Sequence, residues 1–370
     1  MAMYHDYLIG TVESYNKATK KKLLDMIVSK GIATIEDSPS LLCEDVCLGQ
    51  IPPESRLVHC LNKSPRAVKV IEQFEFLKSY RYAILMKTST TLDSVKMDEL
   101  KGKGVITEFV ETCTDMHDEL GTMLEMPSKV SFTSSDNEYC FKLCFKIDKF
   151  DNDGNAISRK FSVLIVAHKQ TPLIEIRYDT IFGYMAGGKE VLYLTYINNA
   201  NKWIEDTLGL SVVDKDAPGK RMHYIVENRE KLRANDEAII IGQGMRFGNG
   251  SSADLFLGTS ESGVLPLIGE LRQFLSDNEE AFRQAPELQK ALEDFLEEKE
   301  HDSDWPWLSL RLKYHGKKIE IKYTAEMYGM GMCRIMFIEN TQYDAEAMSY
   351  AIKYITEDNS DNPAIGIADA

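Results

Sequence analysis

In Leu308-Ser309-Leu310-Arg311-Leu312-Lys313-Tyr314 every second side chain is apolar, and Lys318-Ile319-Glu320-Ile321-Lys322-Tyr323 repeats the pattern. Strict alternation predicts two strands, each with one face in a core and one in water. His315 and Gly316 lie between them, and a two-residue link with glycine second suits a type I′ turn. Such a turn sets the register: Tyr314 faces Lys317, Leu312 faces Ile319, and Arg311 faces Glu320. The last pair is then a cross-strand ion pair on the wet face. A third strand is expected from Cys333 to Ile338, after a loop of alternating Gly and Met at 328–332. A helix should follow from Thr341, with Asp344 completing a capping box and Met348, Ile352 and Ile355 forming its apolar stripe.

An earlier stretch echoes this one. Strands are expected at Phe161–His168 and Leu173–Tyr178, and Ile174-Glu175-Ile176-Arg177-Tyr178 parallels Ile319-Glu320-Ile321-Lys322-Tyr323. A third strand is expected at Val191–Ile197. Asn199 would then cap a helix carrying Trp203, Ile204 and Leu208 and stopped by Gly209. Order and spacing suit a duplicated antiparallel β-meander-plus-helix unit, with its Glu-x-Arg and Glu-x-Lys residues facing outward. Two unrelated meanders are the other reading, because alternating strands resemble one another.

The predicted class is α+β. A small α/β N-terminal domain (1–127) precedes the first meander and helix (128–218). An α-rich connection with a glycine-rich loop (219–304), the second meander and helix (305–356) and a disordered tail (357–370) complete the chain. One helix is expected at Val12–Lys30, another from Ser64-Pro65, a strand at Tyr80–Lys87 and a helix at Leu92–Leu100. Within 219–304 a helix at 219–234 should turn Met222, Ile225, Val226 and Leu232 inward. A first helix carries Leu267, Ile268, Leu271 and Leu275. A second, from Pro286, should turn Leu288, Leu292, Phe295 and Leu296 inward and show an acidic outer face.

With 370 residues and 44% hydrophobic side chains the chain can bury substantial cores. A net charge of −15 opposes nucleic-acid binding over the whole surface, although a local basic patch remains compatible with it. Seven cysteines, an odd number, with no signal peptide point to a reducing compartment, and cytoplasm is the expectation. No apolar run reaches the length of about 20 residues that a membrane helix needs, so no membrane partner is expected.

Three patterns bear on chemistry. Gly242, Gly244, Arg246 and Gly248 lie in a glycine-rich run after a strand, where bare amides and a guanidinium can cradle a phosphate. A dinucleotide or P-loop site needs that run to open into a helix, whereas a strand is expected next, at Ala253–Leu257. Glu320-x-Lys322 has the spacing of metal-dependent nucleases, with Asp304 as the candidate second carboxylate. Asp304 is seven residues from Arg311, however, about 23 Å along an extended strand. Cys43, Cys47, His59 and Cys60 are possible zinc ligands, but adjacent His59 and Cys60 make a poor second pair. The tip Asp151-Asn152-Asp153-Gly154 resembles a calcium loop only superficially, since EF-hand spacing puts lysines at its first and last positions. No metal and no cofactor is therefore expected. The Met-rich loop (Met327, Met330, Met332) suits core filling or an adaptable contact.

These patterns favour a non-catalytic regulatory or adaptor protein acting through protein-protein contacts. The alternative is a nucleotide- or nucleic-acid-processing enzyme using the glycine run or the Glu-x-Lys hairpin. An acidic decoy of nucleic acid is a third option, for which the charge is modest.

Overall fold

The computed structural model describes residues 2–35, 46–111, 117–150, 156–181, 189–246, 251–256, 271, 274–301, 304–325, 331–338 and 344–356. The chain is α+β and forms two compact units, Met1–Asp214 and Lys215–Ala370. No helix among the described residues is long and apolar enough to cross a membrane.

The first unit opens with helices α1 (Ala2–Ser14) and α2 (Lys17–Ser29). The single helix expected over Val12–Lys30 is broken because the Asn16 side chain caps α2, accepting from the Thr19 amide at 2.8 Å. The strands β1 (Ala33–Thr34) and β2 (Val46–Cys47) pair with each other. Helices α3 (Arg56–Lys63) and α4 (Pro65–Leu77) follow, the latter starting on Pro65 as expected. Leu8, Leu23, Ile27, Leu57, Leu61 and Ile71 from these four helices share one core.

The remaining strands of this unit form a mixed sheet. They are β3 (Tyr82–Thr88), β4 (Ile106–Glu108), β5 (Leu120–Gly121), β6 (Val130–Ser134), β7 (Glu138–Phe150), β8 (Ala156–His168), β9 (Leu173–Tyr178) and β10 (Val212–Asp214). Helix α5 (Ser94–Gly102), capped by Asp93, sits between β3 and β4 in the chain. The order is β3-β9-β8-β7-β6-β4, with β10 on β3 and β5 on β7. Because β3 ladders with β9, from Tyr82↔Tyr178 to Lys87↔Leu173, the chain before Pro127 shares a sheet with the chain after it. The expected boundary at 127 is therefore not where the chain divides.

The sheet's two faces differ. Phe141, Phe145 and Phe161 point to one side, where helix α6 (Lys189–Trp203) covers them. Trp203 lies 5.3 Å from Phe141, and Tyr196 lies 4.7 and 5.1 Å from Phe145 and Phe161. The strand expected at Val191–Ile197 is thus helix. Leu192, Tyr196 and Ala200 are buried at helical spacing, with Tyr193 and Ile197 beside them. Asn199 lies inside α6 rather than capping it. A π-helical turn, Ile204–Leu208, continues the helix, and Gly209 ends it in the left-handed conformation (φ 72°). The third strand beside β8 and β9 is β3, from earlier in the chain, so the echo does not extend to a full meander.

The second unit contains helices α7 (Gly219–Glu227), α8 (Arg229–Ala234), α9 (Glu279–Phe282), α10 (Pro286–His301) and α11 (Ala345–Thr356). Its strands β11 (Ala238–Arg246), β12 (Ser252–Phe256), β13 (Asp304–Tyr314), β14 (Lys317–Thr324) and β15 (Arg334–Phe337) run in the order β12-β11-β13-β14-β15. The hairpin has the expected register, with Tyr314↔Lys317, Leu312↔Ile319 and Arg311↔Glu320. His315 (φ 46°) and Gly316 (φ 71°) supply the two positive φ angles of its turn. Leu308, Leu310, Leu312, Ile319, Ile321, Ile335 and Phe337 are all buried, as are Met348, Ile352 and Ile355 of α11. Asp344 itself caps α11, accepting from the Ala347 amide at 2.9 Å, so the helix starts later than expected. The readings that fall at Cys43, 151–154, Gly248, Leu267, Ile268, Met327, Met330, Thr341 and 357–370 lie outside the described residues.

Candidate functional site

The densest group of ionisable side chains among the described residues lies in the first unit, opposite the phenylalanine face. Lys142 of β7 and Lys160 of β8 meet Glu72 and Glu75 of α4 and Asp118 from the segment before β5. Lys142 Nζ is 2.6 Å from Glu72 Oε2 and 2.8 Å from Asp118 Oδ2. Lys160 Nζ is 2.8 Å from Glu72, 2.5 Å from Glu75 and 3.0 Å from Asp118. Tyr4 of α1 donates to Glu72, and Ser131 of β6 donates to Asp118. Helix α1 is fixed over β8 by Thr11, whose hydroxyl donates to the Lys160 carbonyl and accepts from its amide.

Burial pushes the Glu72 carboxyl up to about 7, and the carboxylate of Asp118 acts in the same direction. Burial would raise Glu75 and Asp118 too, but the two ammonium groups outweigh it and hold both below the ordinary carboxylate range. With Glu72 protonated, two carboxylates balance two ammonium ions. Such a set has the make-up of an acid-base site. Yet the five side chains are only 0 to 4% exposed, which closes them to a substrate.

Glu75, Asp118 and Cys144 bring possible metal-ligand atoms within 4.8 Å of one another. The Lys160 ammonium already occupies the cation position beside both carboxylates. Burial pushes the Cys144 thiol up, and it donates to Asp118 at 3.3 Å. The trio therefore suits a structural ion cluster rather than a metal. The exposed placement expected for Glu175-x-Arg177 is also overturned. Glu175 is fully buried and Arg177 5% exposed, with Arg177 Nε 2.6 Å and His168 Nε2 2.7 Å from the Glu175 carboxylate. Burial raises this carboxyl, but Arg177 and His168 overcome that and bring it down to about 2.

The second unit places its motif residues on the outer face of the sheet. Register puts Asp254, Gly244, Trp307, Thr324 and Arg334 in one row across five strands. Phe256, Gly242, Ser309, Lys322 and Met336 form the next row. The glycine run and the Glu-x-Lys hairpin, distant in sequence, are thereby brought together. Gly242, Gly244 and Arg246 lie within β11, whose backbone ladders with β12 and β13 on its two sides, so these amides are not bare. The glycines make room for an indole. A Cβ at Gly244 would stand 2.4 Å from Trp307 Nε1, and one at Gly242 3.1 Å from Trp307 Cζ3. Trp307 Nε1 donates to Asp254 at 3.0 Å, Phe256 stacks on the indole at 5.2 Å, and Lys322 Nζ lies 3.8 Å from its centroid.

Glu320 is held by Arg311 at 2.8 Å, with both side chains about one-fifth exposed, as the register argument expects. Asp304 pairs through its backbone with Arg246 at the far end of β13; its side chain is outside the described set. Cys47 is exposed on β2, while Cys60 is buried on α3.

Helix α10 departs from expectation. Leu296 is buried with Met245 and Leu275, and Leu292 packs against that cluster. Leu288 and Phe295, expected inward, are 61% and 50% exposed. Seven residues apart, they share one stripe of the helix, with exposed Glu287 and Asp294 along one side of it.

Comparison with family models, curated proteins and solved structures finds no match to this chain.

Proposed function

We propose that the protein is a non-catalytic regulator or adaptor that acts through protein-protein contacts, docking a basic amphipathic partner segment on α10. The exposed stripe of Leu288 and Phe295 carries this reading. Two large apolar side chains, half or more exposed on one helix face with carboxylates along one side, suit a partner that presents apolar anchors beside cations. Covering them contributes on the order of 1–2 kcal/mol each, since each is only partly exposed. The carboxylates Glu287 and Asp294, within a chain of net charge −15, add attraction and steering for a cationic partner. Cys47, Cys60, Cys140, Cys144 and Cys333 are free thiols, which fits a reducing cytoplasm.

The test is co-purification of the full chain from its own cells. Two variants accompany the wild type: Leu288→Ser with Phe295→Ser, and Glu287→Lys with Asp294→Lys. The lysine pair should leave stability within about 0.5 kcal/mol per substitution; the serine pair should cost about 1–2 kcal/mol per substitution, from the part of each side chain that is already covered. A basic protein retained by the wild type and lost from both variants supports the reading. The same retained set in all three removes it.

A further inference from the structure

The two outer rows of the second unit's sheet combine features that neither sequence motif showed alone. Phe256 is 68% exposed and is supported from beneath by Trp307, which in turn rests on the glycine backbone of β11. Lys322 is held over the same indole, Arg334 lies in the Trp307 row, and exposed Arg246 follows Gly244 on β11. Two acids stand near these cations among the described side chains of this face. Asp254 accepts from Trp307, and Glu320 is paired with Arg311. An open aromatic ring among three cations is a platform for a base and its phosphates.

We propose that this face binds single-stranded nucleic acid, with a base stacked on Phe256 and backbone phosphates against Arg246 and Lys322. The spread of the cations selects a polymer over a lone nucleotide. Arg246 on β11 and Lys322 on β14 are two strand spacings apart, about 10 Å across the sheet at the backbone, a span that suits successive phosphates of one strand. Stacking on an exposed ring face selects no base edge, so sequence preference is slight. The site is a local cationic patch on an acidic chain, and its binding weakens steeply with salt.

Fluorescence anisotropy of labelled oligo-dT and oligo-U of about 12 nucleotides, titrated with the full chain, tests the proposal. Saturable binding is expected. Phe256→Ala should weaken it about tenfold with the salt dependence unchanged. Arg246→Gln should reduce the slope of log K against log salt by about 0.7, one phosphate contact on a single strand. Both positions are exposed, so melting temperatures should match the wild type. Phe295→Ser should leave the isotherm unchanged, which separates this face from the α10 stripe. The proposal is overturned by no saturable binding at low salt, by wild-type affinity in Phe256→Ala, or by equal competition from inorganic polyphosphate, which has no bases. Saturation by UMP at the oligonucleotide's affinity would also overturn it.

Discussion

Lys160→Met should cost the first unit about 3–5 kcal/mol, because it removes one partner from a sealed ion cluster and leaves carboxylates uncompensated. Lys160 touches Glu72, Glu75 and Asp118 at 2.8, 2.5 and 3.0 Å, and the variant leaves Lys142 alone to serve all three. Loss of hydrogen-exchange protection in peptides from β7 and β8 measures this within the full chain, where two units make a single unfolding transition a poor gauge. Adding Glu75→Gln removes the carboxylate closest to Lys160, and the double variant should be less destabilised than Lys160→Met alone. Additive losses would show that the two groups act independently.

The two Glu-x-cation dipeptides should respond very differently to the same kind of change. Arg177→Met leaves the buried Glu175 carboxylate with His168 only and should cost about 3–5 kcal/mol. Arg311→Met removes the partner of Glu320, where both side chains are about one-fifth exposed, and should cost about 1 kcal/mol or less. The pH dependence carries the same information. The folded Glu175 carboxyl stands near 2, below its ordinary 4.5. Its contribution, about 3 kcal/mol, is therefore complete above pH 4.5 and lost as pH falls towards 2. In Arg177→Met the carboxyl moves back up, and the acid loss attributable to Glu175 should shrink. Denaturation midpoints of the first unit between pH 2 and 6 report both effects.

The contrast shows what the sequence could reveal. The hairpin at 308–323 was legible because alternation and a two-residue turn are local and together set its register. Glu175 and Arg177 follow the same alternation, but a pattern of two says which residues share a face and not what covers that face. At Lys142 and Lys160, α1 and α4 close over a face that reads as polar. Glu72, Glu75, Asp118, Lys142 and Lys160 share no spacing. The available signal was indirect: Lys142 alternates with the buried phenylalanines of β7, and Glu72 and Glu75 interrupt an α4 whose other residues are mostly apolar. The segment 191–197 was misread because Val, Tyr, Thr and Ile favour strands, although Leu192, Tyr196, Ala200 and Trp203 carry helical spacing. The glycine run and Lys322 were singled out separately; only pairing through β13 brought them together around Trp307.

Ala291 lies on the exposed stripe of α10, between Leu288 and Phe295. A photo-crosslinking residue placed there in the full chain, in its own cells, tests the central claim most directly. Val95 on α5, 75% exposed, is the control position. The account predicts one dominant adduct with a basic protein at position 291, absent at 95 and abolished by Phe295→Ser. Equal labelling at 291 and 95, or an adduct indifferent to Phe295→Ser, would contradict it.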